Sequence, residues 1–161
     1  MKKIYICISI LFLTNILNAQ KNECYKYVSD NSFLRYTAVG CQEVVNGNHS
    51  KAINESRKIA NIIAENELAK MVNSKVTMVS EQMSLNGVDY LEKYADTTLV
   101  SSYKVYNGMK TVCQSKTELV GKTYYTYVTK EISVENIGDM LFFNDEKTKT
   151  EFRKLMEKNN K

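Results

Sequence analysis

The chain has 161 residues, 22 basic and 18 acidic side chains, a single histidine, and neither proline nor tryptophan. A formal balance of +4 is too small to argue for a polyanionic partner. With 25% charged and 43% hydrophobic residues, this is an ordinary soluble globular composition.

The first element is a targeting segment. Met1-Lys2-Lys3 is a short cationic start, Ile4 to Leu13 is almost unbroken apolar sequence, and Ala19 is a small residue suited to signal peptidase. The apolar run is shorter than the roughly 20 residues a bilayer demands, so residues 1–19 read as a cleavable signal peptide with no transmembrane helix after it. The first later cysteine, Cys24, follows Lys21-Asn22-Glu23 and not a lipobox, which argues against lipid anchoring. The expected location is periplasmic or secreted.

Cleavage alters two counts. Loss of Lys2 and Lys3 leaves 20 basic against 18 acidic side chains, a balance of +2. Loss of Cys7 leaves Cys24, Cys41 and Cys113 in an oxidising compartment, an odd number that permits at most one internal disulfide. Cys41 and Cys113 lie in or beside predicted strands, and Cys24 in an irregular stretch. Cys41 with Cys113 and Cys24 with Cys41 are equally open pairings, and buried thiols are a third possibility. The remaining residues, about 140 of them, suit one domain with one core.

Residues 20–32 are polar and without period, an N-terminal arm. Phe33 to Gly40 has the aromatic and β-branched content of a strand. Asn46-Gly47-Asn48-His49-Ser50 is a turn, with Ser50 as the expected cap of the next helix. From Lys51 to about Val72, Ile53, Ala60, Ala64, Leu68 and Met71 share one helical face, widened by Ile63 and Val72. Alanines at its centre allow close approach to a flat sheet. Arg57, Lys58, Glu65 and Lys70 are left towards water.

Lys75 to Leu85 reads as a strand ended by Asn86-Gly87, and Asp89 to Thr98 as a short helix or loop. Leu99 to Val120 is a long extended run broken at Asn107-Gly108. Thr123 to Val134 is the clearest strand in the chain and pairs with that run about Gly121-Lys122 as an antiparallel hairpin. Asn144-Asp145-Glu146 opens a terminal helix whose Phe152, Leu155 and Met156 form a docking stripe. The order predicts a two-layer α+β domain: a mainly antiparallel sheet of about four strands, covered by one long helix, with a short helix and a C-terminal helix.

Tyr36-Thr-Ala-Val-Gly40, the alanine-spaced helix of residues 51–72, Lys75-Val76 and Gly121-Lys-Thr-Tyr-Tyr-Thr-Tyr-Val128 together resemble the twenty-kilodalton envelope lipoprotein family (LPP-twenty). They are similar also to the N-terminal domain of the flagellar assembly protein T. The resemblance spans residues 33–134 and leaves 135–161 as a C-terminal extension. It implies an exported bacterial protein with a dodecin-like helix-on-sheet fold and no assigned enzymatic activity. The missing lipobox, and the cysteines at 41 and 113, depart from that family's pattern.

Catalytic chemistry finds little footing. His49 lies in a polar turn with no predicted nucleophile beside it. Neither Cys-x-x-Cys nor His-x-x-x-His spacing occurs, so no metal site is expected. The six glycines are scattered at turns and form no phosphate loop. No cofactor and no enzymatic activity are expected. Tyr103, Tyr106, Tyr125 and Tyr127 concentrate aromatic area on the hairpin and make it the candidate interaction surface. The expected role is a noncatalytic interaction or self-assembly module, its partner another protein or its own copies. The alternative is an exported small-ligand carrier or enzyme with a pocket between helix and sheet. Nucleic acid is disfavoured by the small charge and the exported location.

Overall fold

Gly121, at φ 63°, and Lys122 form the tight turn that joins β3 (Glu118–Val120) to β4 (Thr123–Ser133). Glycine suits this position because it takes positive φ without a Cβ clash. The computed structural model describes residues 22–85, 102–142 and 145–159, and all statements below concern these residues. β4 is the axis of a four-stranded antiparallel sheet. On one side it pairs along its whole length with β1 (Phe33–Glu43), from Phe33 opposite Ser133 to Glu43 opposite Thr123. On its other side β3 is followed by β2 (Lys110–Gln114), whose register slips between Thr111 and Cys113.

One helix, α1 (His49–Leu85), covers one face of this sheet. Ala52, Ser56, Ala60, Ala64, Leu68, Val72 and Val76 recur every four residues, and all are buried. The approach is closest at Gly40, where an added Cβ would lie 2.0 Å from the Ser56 carbonyl oxygen and 2.3 Å from the Ala60 nitrogen. Ala38, Val128, Ala60 and Ala64 fill the adjoining space. Small residues on both layers are what let the helix axis sit over β1 and β4.

Below the sheet, α1 runs on to meet three short helices: α2 (Ser102–Gly108), α3 (Val134–Leu141) and α4 (Glu146–Lys158). Leu34, Leu68, Val79, Met83, Val105, Ile132, Ile137, Phe142, Phe152 and Met156 form the main core here. Ser133 caps α3 by accepting from the Asn136 amide, and Asp145 caps α4 by accepting from Thr148.

The α+β class, the four-stranded antiparallel sheet, the long covering helix and the terminal helix match the sequence expectation. Four local expectations do not. Lys75 to Leu85 is the continuation of α1 and not a strand, because Val76, Val79, Ser80 and Met83 extend the buried stripe at helical spacing. Residues 102–108 of the supposed extended run are helical, with Val105 in the core. Ser50 lies inside α1, and it is the Asn48 side chain that accepts from the Lys51 amide at 3.0 Å. Ile63 faces outward and is 38% exposed. The expected signal peptide, residues 1–19, and the expected short helix at residues 89–98 fall outside the described residues.

Candidate functional site

The sheet face away from α1 carries the odd-numbered residues of β1 and β4: Arg35, Thr37, Val39 and Cys41 beside Glu131, Thr129, Tyr127 and Tyr125. A single 3-10 turn, Glu23–Lys26, lies across it, capped by the Asn22 side chain accepting from the Cys24 amide. The Cys24 carbonyl accepts from the Thr37 and Thr129 hydroxyls at 3.2 and 2.9 Å. Cys24 is bonded to Cys113 of β2, with Cα atoms 5.4 Å apart. This pairing is neither of the two favoured by the sequence. The arm places Cys24 across the sheet from β1, next to β2, and leaves Cys41 as an exposed thiol.

The arm therefore closes the aromatic surface expected of the hairpin. Tyr127 is 3% exposed and Tyr125 8%, packed against Cys24 with Val39 and Cys113. Tyr25 of the arm meets the Tyr127 ring edge-on at 5.8 Å. Burial raises the pKa of both Tyr125 and Tyr127 above the usual tyrosine value. Tyr106 is on neither face of the hairpin: it lies in α2 and donates its hydroxyl to Asn66 of α1. Tyr103 belongs to the same helix. Tyr106, Tyr125 and Tyr127 thus form no common exposed surface.

The backbone of β1 offers what these side chains do not. Arg35 donates its amide to the Ser29 hydroxyl at 2.9 Å and receives that hydroxyl on its carbonyl at 3.2 Å, so its peptide groups point away from β4. Phe33 is sealed likewise by Asp30, and the Arg35 guanidinium bridges Asp30 and Glu131. Because peptide direction alternates along an antiparallel pair, Thr37, Val39, Cys41 and Glu43 also direct their N–H and C=O groups outward. No described strand pairs with them.

This open edge has no lysine, no proline and no bulge between Thr37 and Gln42, the usual devices that keep an edge from pairing. Beside it, an open cleft of about 600 Å³ is lined by Gln42, Glu43, Asn46, Lys51 and Glu55.

His49 stands at the start of α1, with Nδ1 3.2 Å from the Tyr124 hydroxyl and its ring edge-on to that tyrosine. Both are structural partners across the helix and sheet layers. No group of three or more His, Cys, Asp or Glu side chains is arranged to hold a metal ion among the described residues. Within the same residues no helix is long and apolar enough to cross a membrane. The signal for the edge was present in the sequence, as an uncharged run from Tyr36 to Gln42 within the strand, but which side of the strand would stay unpaired follows only from the topology. No family model matches the chain, and no curated protein or solved structure is similar to it.

Proposed function

We propose that this chain is a noncatalytic exported module, of the LPP-twenty envelope type, that acts by binding protein through the outer edge of β1. The observation carrying this reading is the row of outward peptide groups at Thr37, Val39, Cys41 and Glu43, on a strand whose other half is sealed by Ser29 and Asp30. A strand edge left bare in one stretch and blocked in the next is suited to receive another strand. Export is supported by the signal-like residues 1–19 and by the Cys24–Cys113 disulfide, which suits an oxidising compartment.

A pocket between helix and sheet would need space that side chains already fill. Gly40 meets Ser56 and Ala60 directly, and the Ser56 and Thr126 hydroxyls lie 2.9 Å apart across the same interface. The test has two parts, both in the cell that encodes the chain. The processed protein should be recovered outside the cytoplasm with Gln20 at its N-terminus. A benzophenone amino acid at position 41 should give protein adducts that the same probe at exposed Thr150 does not. A cytoplasmic chain that keeps residues 1–19, or equal labelling from both positions, would overturn the reading.

A further inference from the structure

The occupant of the β1 edge can be named from the geometry around it. Arg57 of α1 donates to Thr117 beside β3 and Glu65 pairs with Lys130 of β4, so that flank of the helix faces the β2–β3 side. The opposite flank is the residue before each buried one: Lys51, Glu55, Ile59, Ile63 and Glu67. It overhangs the outer edge of β1, as Lys51 and Glu55 show by lining the cleft with Gln42 and Glu43. Ile63 is 38% exposed there and its neighbour Ile62 46%, with Ile59 half-buried.

Resting on the reading above, we propose that the edge binds a second copy of this chain, β1 against β1, about a two-fold axis at Gly40. That register is the one that uses every outward group: Thr37 stands opposite the partner's Glu43, and Val39 opposite the partner's Cys41. It forms about eight interchain hydrogen bonds, two for each facing pair of this kind. The four-stranded sheets become one continuous sheet of twice the width. The axis passes beneath Ser56 and Ala60, the residues that touch Gly40, and so brings the two α1 helices side by side.

Their separation follows from strand spacing. Each α1 sits over β1 and β4, so the two helix axes lie two strand spacings apart, about 9.5 Å. Helices pack at roughly 8–10 Å, so side chains of the two flanks meet without a gap. About Ile59 the flank brings one kind of charge pair together, on a Glu67 that Lys70 of its own chain also holds at 2.6 Å. Antiparallel docking sets Ile59 against the partner's Ile59, Glu55 beside the partner's Ile63, and exposed Lys51 against the partner's Glu67.

Light scattering and sedimentation equilibrium on the purified protein test the proposal. The expected mass is that of a dimer dissociating on dilution. Cys41→Pro removes an outward N–H from an exposed residue without touching the β1–β4 ladder, and should raise the dimer dissociation constant at least about tenfold. Ile63→Glu, which sets a carboxylate beside the partner's Glu55, should do the same, while Cys41→Ser, which keeps the N–H, should leave it unchanged. Circular dichroism and melting temperature confirm that each variant is folded.

A wild-type monomer at all concentrations overturns the second copy as occupant, as does a dimer unaffected by both Cys41→Pro and Ile63→Glu in folded protein. If the monomeric protein still gives adducts from position 41 with a different protein, the interaction reading stands and this inference alone fails.

Discussion

Gly40 shows how one missing side chain sets the spacing of two layers. Its φ is not positive, so its value is close approach and not backbone freedom. Gly40→Ala would drive a methyl into the backbone of Ser56 and Ala60, where no flexible side chain can yield. We expect a loss of about 1–3 kcal/mol, read by denaturant unfolding, from lifting α1 off β1. Beside it runs a chain of hydroxyls whose directions are fixed by counting protons. Ser56 donates to the Ile53 carbonyl, so it must accept from Thr126; Thr126 then accepts from Thr117, which accepts from Arg57. Thr126→Val keeps the shape and removes the central link. The expected cost is about 1–3 kcal/mol, because fully buried Ser56 loses its donor where water is excluded. Unchanged stability in that variant would mean that the hydroxyl chain contributes nothing net. In the sequence, Gly40 was readable as a strand end, but not as a contact, since the helix residues it touches lie 16 and 20 positions away.

At the scale of elements, the hairpin, β1, the first half of α1 and the terminal helix were legible because each carries its own punctuation: Gly121-Lys122, Asn46-Gly47 and Asp145. Lys75 to Leu85 was misread because Val76, Thr77 and Val79 favour strands locally. Their four-residue continuation of the Ala60–Val72 stripe was the better signal, and packing against α4 confirms it as helix, with Lys75 donating to the Asn159 carbonyl. The disulfide was not legible at all: the route of the arm across the sheet is tertiary information, carried by the Thr37 and Thr129 contacts to Cys24.

That route makes the arm a removable cover. The Cys24–Cys113 link closes 89 residues of chain, and its loss in a Cys24→Ser, Cys113→Ser variant should cost about 2–4 kcal/mol. The arm's burial of Tyr125 and Tyr127 also gives a direct spectroscopic readout. Burial raises the folded pKa of these hydroxyls, so their contribution to stability is complete below the unfolded tyrosine value near 10 and is lost as pH rises through the folded one. In an ultraviolet titration the native protein should show a late-ionising tyrosine fraction. The serine double variant should shift part of that fraction to lower pH, and an identical titration would mean that the arm stays seated without its bond.

For the whole molecule, each sheet face carries a cover from within the chain, and the start of the β1 edge is blocked. α1 covers one face; the arm covers the other, tied to β2; Ser29 and Asp30 block the start of β1. What remains of the β1 edge is a short stretch of strand, uncharged from Thr37 to Gln42, with an isoleucine-bearing helix flank beside it. Stability should then depend on concentration, because an assembly that binds the folded chain and not the unfolded one raises the melting temperature by mass action. For a chain of this size, each tenfold rise in protein concentration above the dimer dissociation constant should raise Tm by roughly 2 °C. Cys41→Pro should flatten that dependence while leaving Tm at high dilution near the wild-type value, since the amide it removes has no hydrogen-bond partner among the described residues. A wild-type Tm that is constant over two decades of concentration would separate the stability of this fold from any pairing of its edge.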